Sequence, residues 1–185
     1  MKKISGIILA VMLVFGSVGM AGAVVVNFDD LVGQALVPNG YGGINWNDEW
    51  TYYGWTQDPY NPSSPPVRVY DFVSEGKFDF VTPDQTFNGA WFSGVDTTTV
   101  KFNLYNDGIL VASTLPIFMS NVPTFLDSGY SGLVDVVGVL SNAPDFFVMD
   151  DVTYGGHQVP EPATLMLFGV GLVGVGIARR LRRQA

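Results

Sequence analysis

Between residues 24 and 155 the chain offers no helical period of useful length, and this constrains the fold more than any other feature. In its place come short runs rich in Val, Phe, Tyr and Thr, separated by Gly, Pro, Asn and Asp. Runs at 24–31, 67–73, 77–82, 89–95, 98–105, 109–115, 132–140 and 146–154 are predicted strands. Asn106-Asp107-Gly108 between two of them predicts a tight hairpin, because these residue types tolerate the positive φ that such turns demand. The pattern predicts an all-β domain, an antiparallel two-sheet β-sandwich. About eight strands favour a jelly roll over an immunoglobulin-like pattern of about seven. The stretch 34–66, QALVPNGYGGINWNDEWTYYGWTQDPYNPSSPP, is the exception. Long, turn-rich and aromatic-rich, it reads as an irregular functional loop, with Asn61–Pro66 a stiff Pro/Ser connector.

The two ends of the chain carry different patterns. Lys2 and Lys3 precede an apolar run from Ile4 to Met20, followed by Ala21-Gly22-Ala23. A positive n-region, an apolar h-region and an A-x-A site read as a secretory signal peptide, residues 1–23, cut after Ala23; an uncleaved anchor helix is the alternative. At the other end Val159-Pro160-Glu161-Pro162 leads into an apolar stretch, 163–178, broken only by Thr164. Sixteen residues make roughly 24 Å of helix, the short end for a bilayer core of about 30 Å. Arg179, Arg180, Arg182 and Arg183 follow within the basic tail 179–185. Arginines beside a span stay cytoplasmic, so this single transmembrane helix runs C-terminus inward through the inner membrane.

A proline-glutamate-proline hinge, an apolar span and a terminal arginine cluster, in that order and behind a signal peptide, resemble the PEP-CTERM sorting signal of Gram-negative bacteria. Pro160, Glu161 and Pro162 match its motif position by position. The resemblance implies an exosortase-type membrane transpeptidase as partner, cutting near the motif and passing the protein to the cell envelope or outside. The domain is then 24–158. A second resemblance rests on VVNFDDL, PNGYGGINW and FFVMDDVTY, which look like the jelly-roll domains common among exported PEP-CTERM proteins. In jelly-roll carbohydrate-binding modules, the first and last strands often share a structural calcium.

Charge narrows the partners of that domain. Residues 24–158 keep only Arg68, Lys77 and Lys101 of the nine Lys and Arg, against sixteen of the seventeen acids, all but Glu161, for a net charge near −13. Nucleic acid and anionic lipid are excluded as partners, and cations or neutral glycans favoured. With no cysteine, export brings no disulfide framework.

Two constellations are candidates for binding. Asp29, Asp30, Asp150 and Asp151 lie in runs expected to be neighbours, and their carboxylates with backbone carbonyls would suit a structural Ca2+; the alternative is solvated acids at strand ends. Trp46, Trp50, Tyr52, Tyr53 and Trp55 fall within ten residues, flanked by Asn45, Asn47, Asp48 and Glu49. Such rings suit stacking on pyranoses, or else cap one end of the core.

Catalytic patterns are weak. His157, the sole histidine, sits beside Gly155-Gly156 as a linker residue, so a Ser–His–Asp triad has no partner for it and zinc no ligand set. Glu49 and Glu75 are the domain's only glutamates and leave glycosidase chemistry as a lesser alternative. One Thr97-Thr98-Thr99 run reads as a strand start rather than an ice-binding array. The reading is a non-enzymatic exported protein with an exopolysaccharide as ligand; a structural or protein-interaction role without glycan binding is the alternative.

Overall fold

The computed structural model describes residues 22–155. Thirteen strands are formed there: β1 (Ala23–Val26), β2 (Gln34–Leu36), β3 (Ile44–Asn45), β4 (Thr51–Tyr53), β5 (Arg68–Tyr70), β6 (Glu75–Phe80), β7 (Phe87–Gly94), β8 (Thr99–Asn106), β9 (Ile109–Ser113), β10 (Ile117–Phe118), β11 (Thr124–Asp127), β12 (Val136–Ser141) and β13 (Phe147–Gly155). A single 3-10 turn, Tyr41–Gly43, is the only helical element among the described residues. No helix among them is long and apolar enough to cross a membrane. Of the predicted signal peptide, 1–23, residues 1–21 lie outside the described residues, as do the sorting motif, the apolar span, the basic tail and His157.

All pairing is antiparallel and forms two sheets. The first runs β11-β7-β13-β5-β4-β2, with β1 also pairing β13; the second runs β10-β8-β12-β6-β3, with β9 also pairing β8. The all-β, two-sheet expectation therefore holds. The nine-residue β13 is the spine of the first sheet: its start meets β5 at Met149–Val69, and its end meets β1 at Val26–Val152. A register shift between Asp150 and Thr153 marks the crossover from one neighbour to the other. The predicted hairpin is present, with Asn106 opposite Ile109 and φ of 50° and 74° at Asp107 and Gly108, the primed-turn signature.

Alternation fills the space between the sheets. β6 and β8 each bury every second residue, so Phe78, Phe80, Val100, Phe102 and Leu104 point inward. They meet Phe87, Phe92 and Met149 of the other sheet, with Phe87 and Phe102 edge to face at 4.8 Å and 86°.

The stretch 34–66 departs from the expectation of one irregular loop. Its first part carries β2, β3 and β4, which close the edges of both sheets. Strands of two or three residues show no period of their own, and they form here because neighbouring strands supply the ladder. The longest segment of the stretch without strand or helix is 54–66, and the position of that segment decides what the outer face of the first sheet can bind.

Candidate functional site

The five clustered aromatics divide between two places. Trp46 and Trp50 are fully buried, packing at 6.1 Å from each other and against Phe78, with Phe28 also against Trp46. Trp46 Nε1 donates to the Tyr41 carbonyl and Trp50 Nε1 to the Lys77 carbonyl, so both indoles are satisfied inside the protein. This corrects the expectation that they offer faces to a sugar: they cap the core. Tyr52, opposite Val69, packs partly buried on the same core, while Tyr53, opposite Arg68, faces outward. Trp55 is 53% exposed and meets Tyr53 edge-on at 5.0 Å.

The four aspartates separate in a similar way. Pairing of β1 with β13 does bring the two ends of the domain together. Asp29 and Asp30, however, lie in the turn after β1, with Asp29 accepting from Val67 N at 3.5 Å and Asp30 from the Tyr41 hydroxyl. Burial, reinforced by Asp30, pushes the Tyr41 phenol up. Asp150 and Asp151 turn instead to Ser63 and Ser64. Asp150 Oδ2 accepts from Ser64 N at 2.8 Å and from both hydroxyls at 3.1 and 3.2 Å, and Asp151 takes the same hydroxyls at 2.5 and 2.9 Å. Asp29 and Asp30 thus hold partners other than those of Asp150 and Asp151, and among the described residues no three acidic, histidine or cysteine side chains stand together as a metal-holding group.

That serine contact ties down the loop 54–66. Val69 and Met149 point into the core, so Arg68, Tyr70, Val148 and Asp150 point to the opposite, outer face of the sheet. The loop lies over them. Arg68 Nη1 donates to the Trp55 carbonyl, Ser93 Oγ donates to the Asn61 carbonyl, Asn61 Nδ2 donates to the Asn121 carbonyl, and Ser63 and Ser64 engage the acids of β13. Outer-face residues become interior: Arg68 is 1% exposed and Asp150 2%. Burial pushes the Asp150 carboxyl up to about 7, against the hydrogen bond from Ser64 N and with the help of Asp151.

Between loop and sheet remains a cavity of about 270 Å³, lined by Gln34, Tyr53, Gln57, Tyr60, Arg68, Tyr70, Phe72, Asp145, Phe147 and Val148. Its walls combine rings with amides, phenols, one carboxylate and one guanidinium, the mixture that recognises a small polar ring. The Arg68 guanidinium stands 4.6 Å from the Tyr53 ring centre. Its Nε and Nη2 have no hydrogen-bond partner. Burial lowers its pKa, opposed by Tyr53, Asp150 and Tyr70. Gln34 Nε2 donates to the Tyr70 hydroxyl at 2.7 Å and fixes that wall.

Of the aromatics read from the sequence, only Tyr53 lines this cavity, with Trp55 adjoining it. Arg68, Tyr70 and Phe72 were missed as site residues, although VRVYDF alternates and Arg68 is the one arginine between residues 24 and 158. Alternation places Arg68 opposite the core, but nothing local says that a loop then covers it. Glu49 and Glu75, the glycosidase candidates, are engaged elsewhere, accepting from Lys77 N at 2.7 Å and the Tyr105 hydroxyl at 2.8 Å.

No curated protein matches the chain. A family model described as the PEP-CTERM protein-sorting motif matches residues 158–183, spanning Pro160, Glu161 and Pro162, the apolar run and the arginines. Residues 158–183 are a PEP-CTERM sorting motif, which implies export through a transiently membrane-anchored precursor and processing by an exosortase.

Proposed function

We propose that the protein is a non-enzymatic glycan-binding component of the cell envelope or extracellular matrix, holding a sugar residue of an exopolysaccharide in the cavity beneath loop 54–66. The observation that carries this reading is the lining itself: Tyr53, Tyr60 and Phe72 offer ring surface beside the Gln57 amide and the acceptor Asp145. At about 270 Å³ the space suits one sugar ring of a chain rather than a larger ligand. Binding is favoured over hydrolysis because Asp145 is the lone carboxylate in the lining, where glycoside cleavage generally uses two.

Calorimetric titration of the full chain in detergent micelles with a polysaccharide panel, the producer's own matrix included, tests the reading. Saturable heat is expected with at least one glycan, weakened about three- to tenfold in Tyr60→Ala. Silence across the panel with the fold intact ends the glycan reading. A second reading, protein interaction in the matrix, is favoured by the exposure of Leu115, Phe118 and Val122 on one short stretch flanking β10.

A further inference from the structure

Of the two charged side chains in the cavity wall, only Asp145 is open to a ligand. Arg68 is 1% exposed, its Nε and Nη2 are closed to solvent, and its Nη1 donates to the Trp55 carbonyl. Asp145 is exposed in the turn where Phe146 N donates to the Ala143 carbonyl at 3.4 Å, and it forms no ion pair among the described residues. The two charges stand at opposite ends of the wall. Met149 pairs antiparallel with Val69, which sets Asp145 at the Phe72 end and Arg68 at the other. Beyond burial, the charges acting on Arg68 are those of Tyr53, Asp150 and Tyr70, whereas Asp145 adds to burial in pushing up the Tyr60 phenol. Rings gather at the Asp145 end: Phe72 is 62% exposed and meets Tyr70 edge-on at 5.1 Å, with Tyr60 in the same wall. A carboxylate beside open rings attracts an ammonium through both charge and ring quadrupole, and a hydroxyl or an amide gains neither in full.

We propose that the cavity selects an amino sugar, a hexosamine residue with a free amine within a polysaccharide, whose ammonium lies between the Asp145 carboxylate and the rings of Tyr60 and Phe72. The proposal rests on the glycan reading above and narrows it to a ligand class. An ammonium brings three N–H donors and the opposite charge to an unpaired carboxylate, whereas N-acetylation removes the charge and two of the donors. The net charge near −13 acts in the same direction, drawing a cationic chain toward the domain over long range. That attraction has no site of its own, so a variant must separate it from the cavity. Asp145 stands at φ 71°, in the left-handed region that Asn also tolerates, so Asp145→Asn removes the charge and keeps the turn. Asp84, exposed at φ 60° and outside the cavity wall, gives the matched control Asp84→Asn.

The test titrates the full chain in detergent micelles by calorimetry, with a tetramer of glucosamine, with its N-acetylated form and with methylammonium. It is run near pH 6, where sugar amines hold their proton, and at about 0.15 M salt, where a Debye length of about 8 Å screens the distant surface acids. The glucosamine tetramer is expected to bind saturably, about three- to tenfold tighter than the N-acetylated one. Asp145→Asn should abolish that preference and Asp84→Asn should leave it unchanged. In the 15N-labelled chain the amide signals of Phe72, Asp145 and Phe146 should shift with the glucosamine tetramer, which decides the matter on the wild type if Asp145→Asn does not fold. Amine binding that leaves those signals unmoved overturns the proposal, as does a preference that Asp145→Asn retains or that Asp84→Asn loses equally. Equal affinity for the N-acetylated tetramer overturns it while leaving the glycan reading standing. Methylammonium binding as tightly as the tetramer overturns it too, by making the site one for small cations. No response to either tetramer also overturns it, and silence across the polysaccharide panel removes the glycan reading with it.

Discussion

Trp46 and Trp55 lie nine positions apart, yet substitution should have opposite signatures. Trp46 is fully buried among Phe28, Trp50 and Phe78, so Trp46→Ala should cost about 3–5 kcal/mol, read as a lowered denaturation midpoint. Trp55→Ala removes an exposed ring and should leave stability within about 0.5 kcal/mol while weakening glycan affinity through the loosened Tyr53 contact. Asp71 makes a prediction in pH. It is fully buried, both oxygens lack partners, and burial pushes its carboxyl up to about 7. The folded state therefore holds a proton that the unfolded chain releases near pH 4, so stability falls as pH rises from about 4 to 7 and is flat beyond. Asp71→Asn should match the wild type near pH 3 and melt several degrees higher at pH 8, by on the order of 4 kcal/mol. A melting difference independent of pH would refute the assignment. Such residue-scale detail was only half legible in the sequence. Trp50 and Tyr52 share the inward parity of β4 and Tyr53 the outward one, so counting by two separates the rings. The unpartnered state of Asp71, pressed so closely against Gly76 that a Cβ there would collide with it, is set by long-range packing and has no local signal.

At the scale of elements, the eight alternating or β-branched runs all contain strands; β6 and β8 bury one face and announce it by period two, whereas β9 buries no residue and is announced by its residue types and the turn before it. β2, β3, β4, β10 and β11 escaped notice, being two to four residues long and dependent on partners distant in sequence. Loop 54–66 was legible as unusual, but its docking was not, since its anchors Asp150 and Asp151 are almost 90 residues away. Those anchors carry a prediction. Ser63→Ala with Ser64→Ala leaves two acids of β13 short of hydroxyl donors and should cost about 1–3 kcal/mol. Hydrogen exchange should speed first across 54–66 and at Arg68, with the amides of β8 and β12 unchanged. Uniform acceleration would mean that the loop is part of the global fold rather than a clasp upon it.

For the whole molecule, the relation between net charge and pocket charge yields the sharpest expectation. The surface acids repel a polyuronate over long distances, and salt screens them, with a Debye length of about 30 Å at 0.01 M and about 8 Å at 0.15 M. Arg68 is 1% exposed, with Nε and Nη2 closed to solvent, so it presents no surface cation to a polyanion. Lys77 and Lys101 are the only other cations between residues 24 and 158, and neither lines the cavity. Raising salt from 0.01 to 0.15 M should therefore strengthen binding of a galacturonate tetramer, the reverse of the usual response of polyanion binders. Neutral galactose tetramer, where it binds at all, should be indifferent to salt. Calorimetry at three salt concentrations distinguishes the cases: affinity for the acid that falls with salt would place an attraction on exposed cations and count against net repulsion as the dominant effect. A rise confined to the acid would show that long-range repulsion by the surface acids, rather than the pocket, sets how readily a charged glycan is accepted.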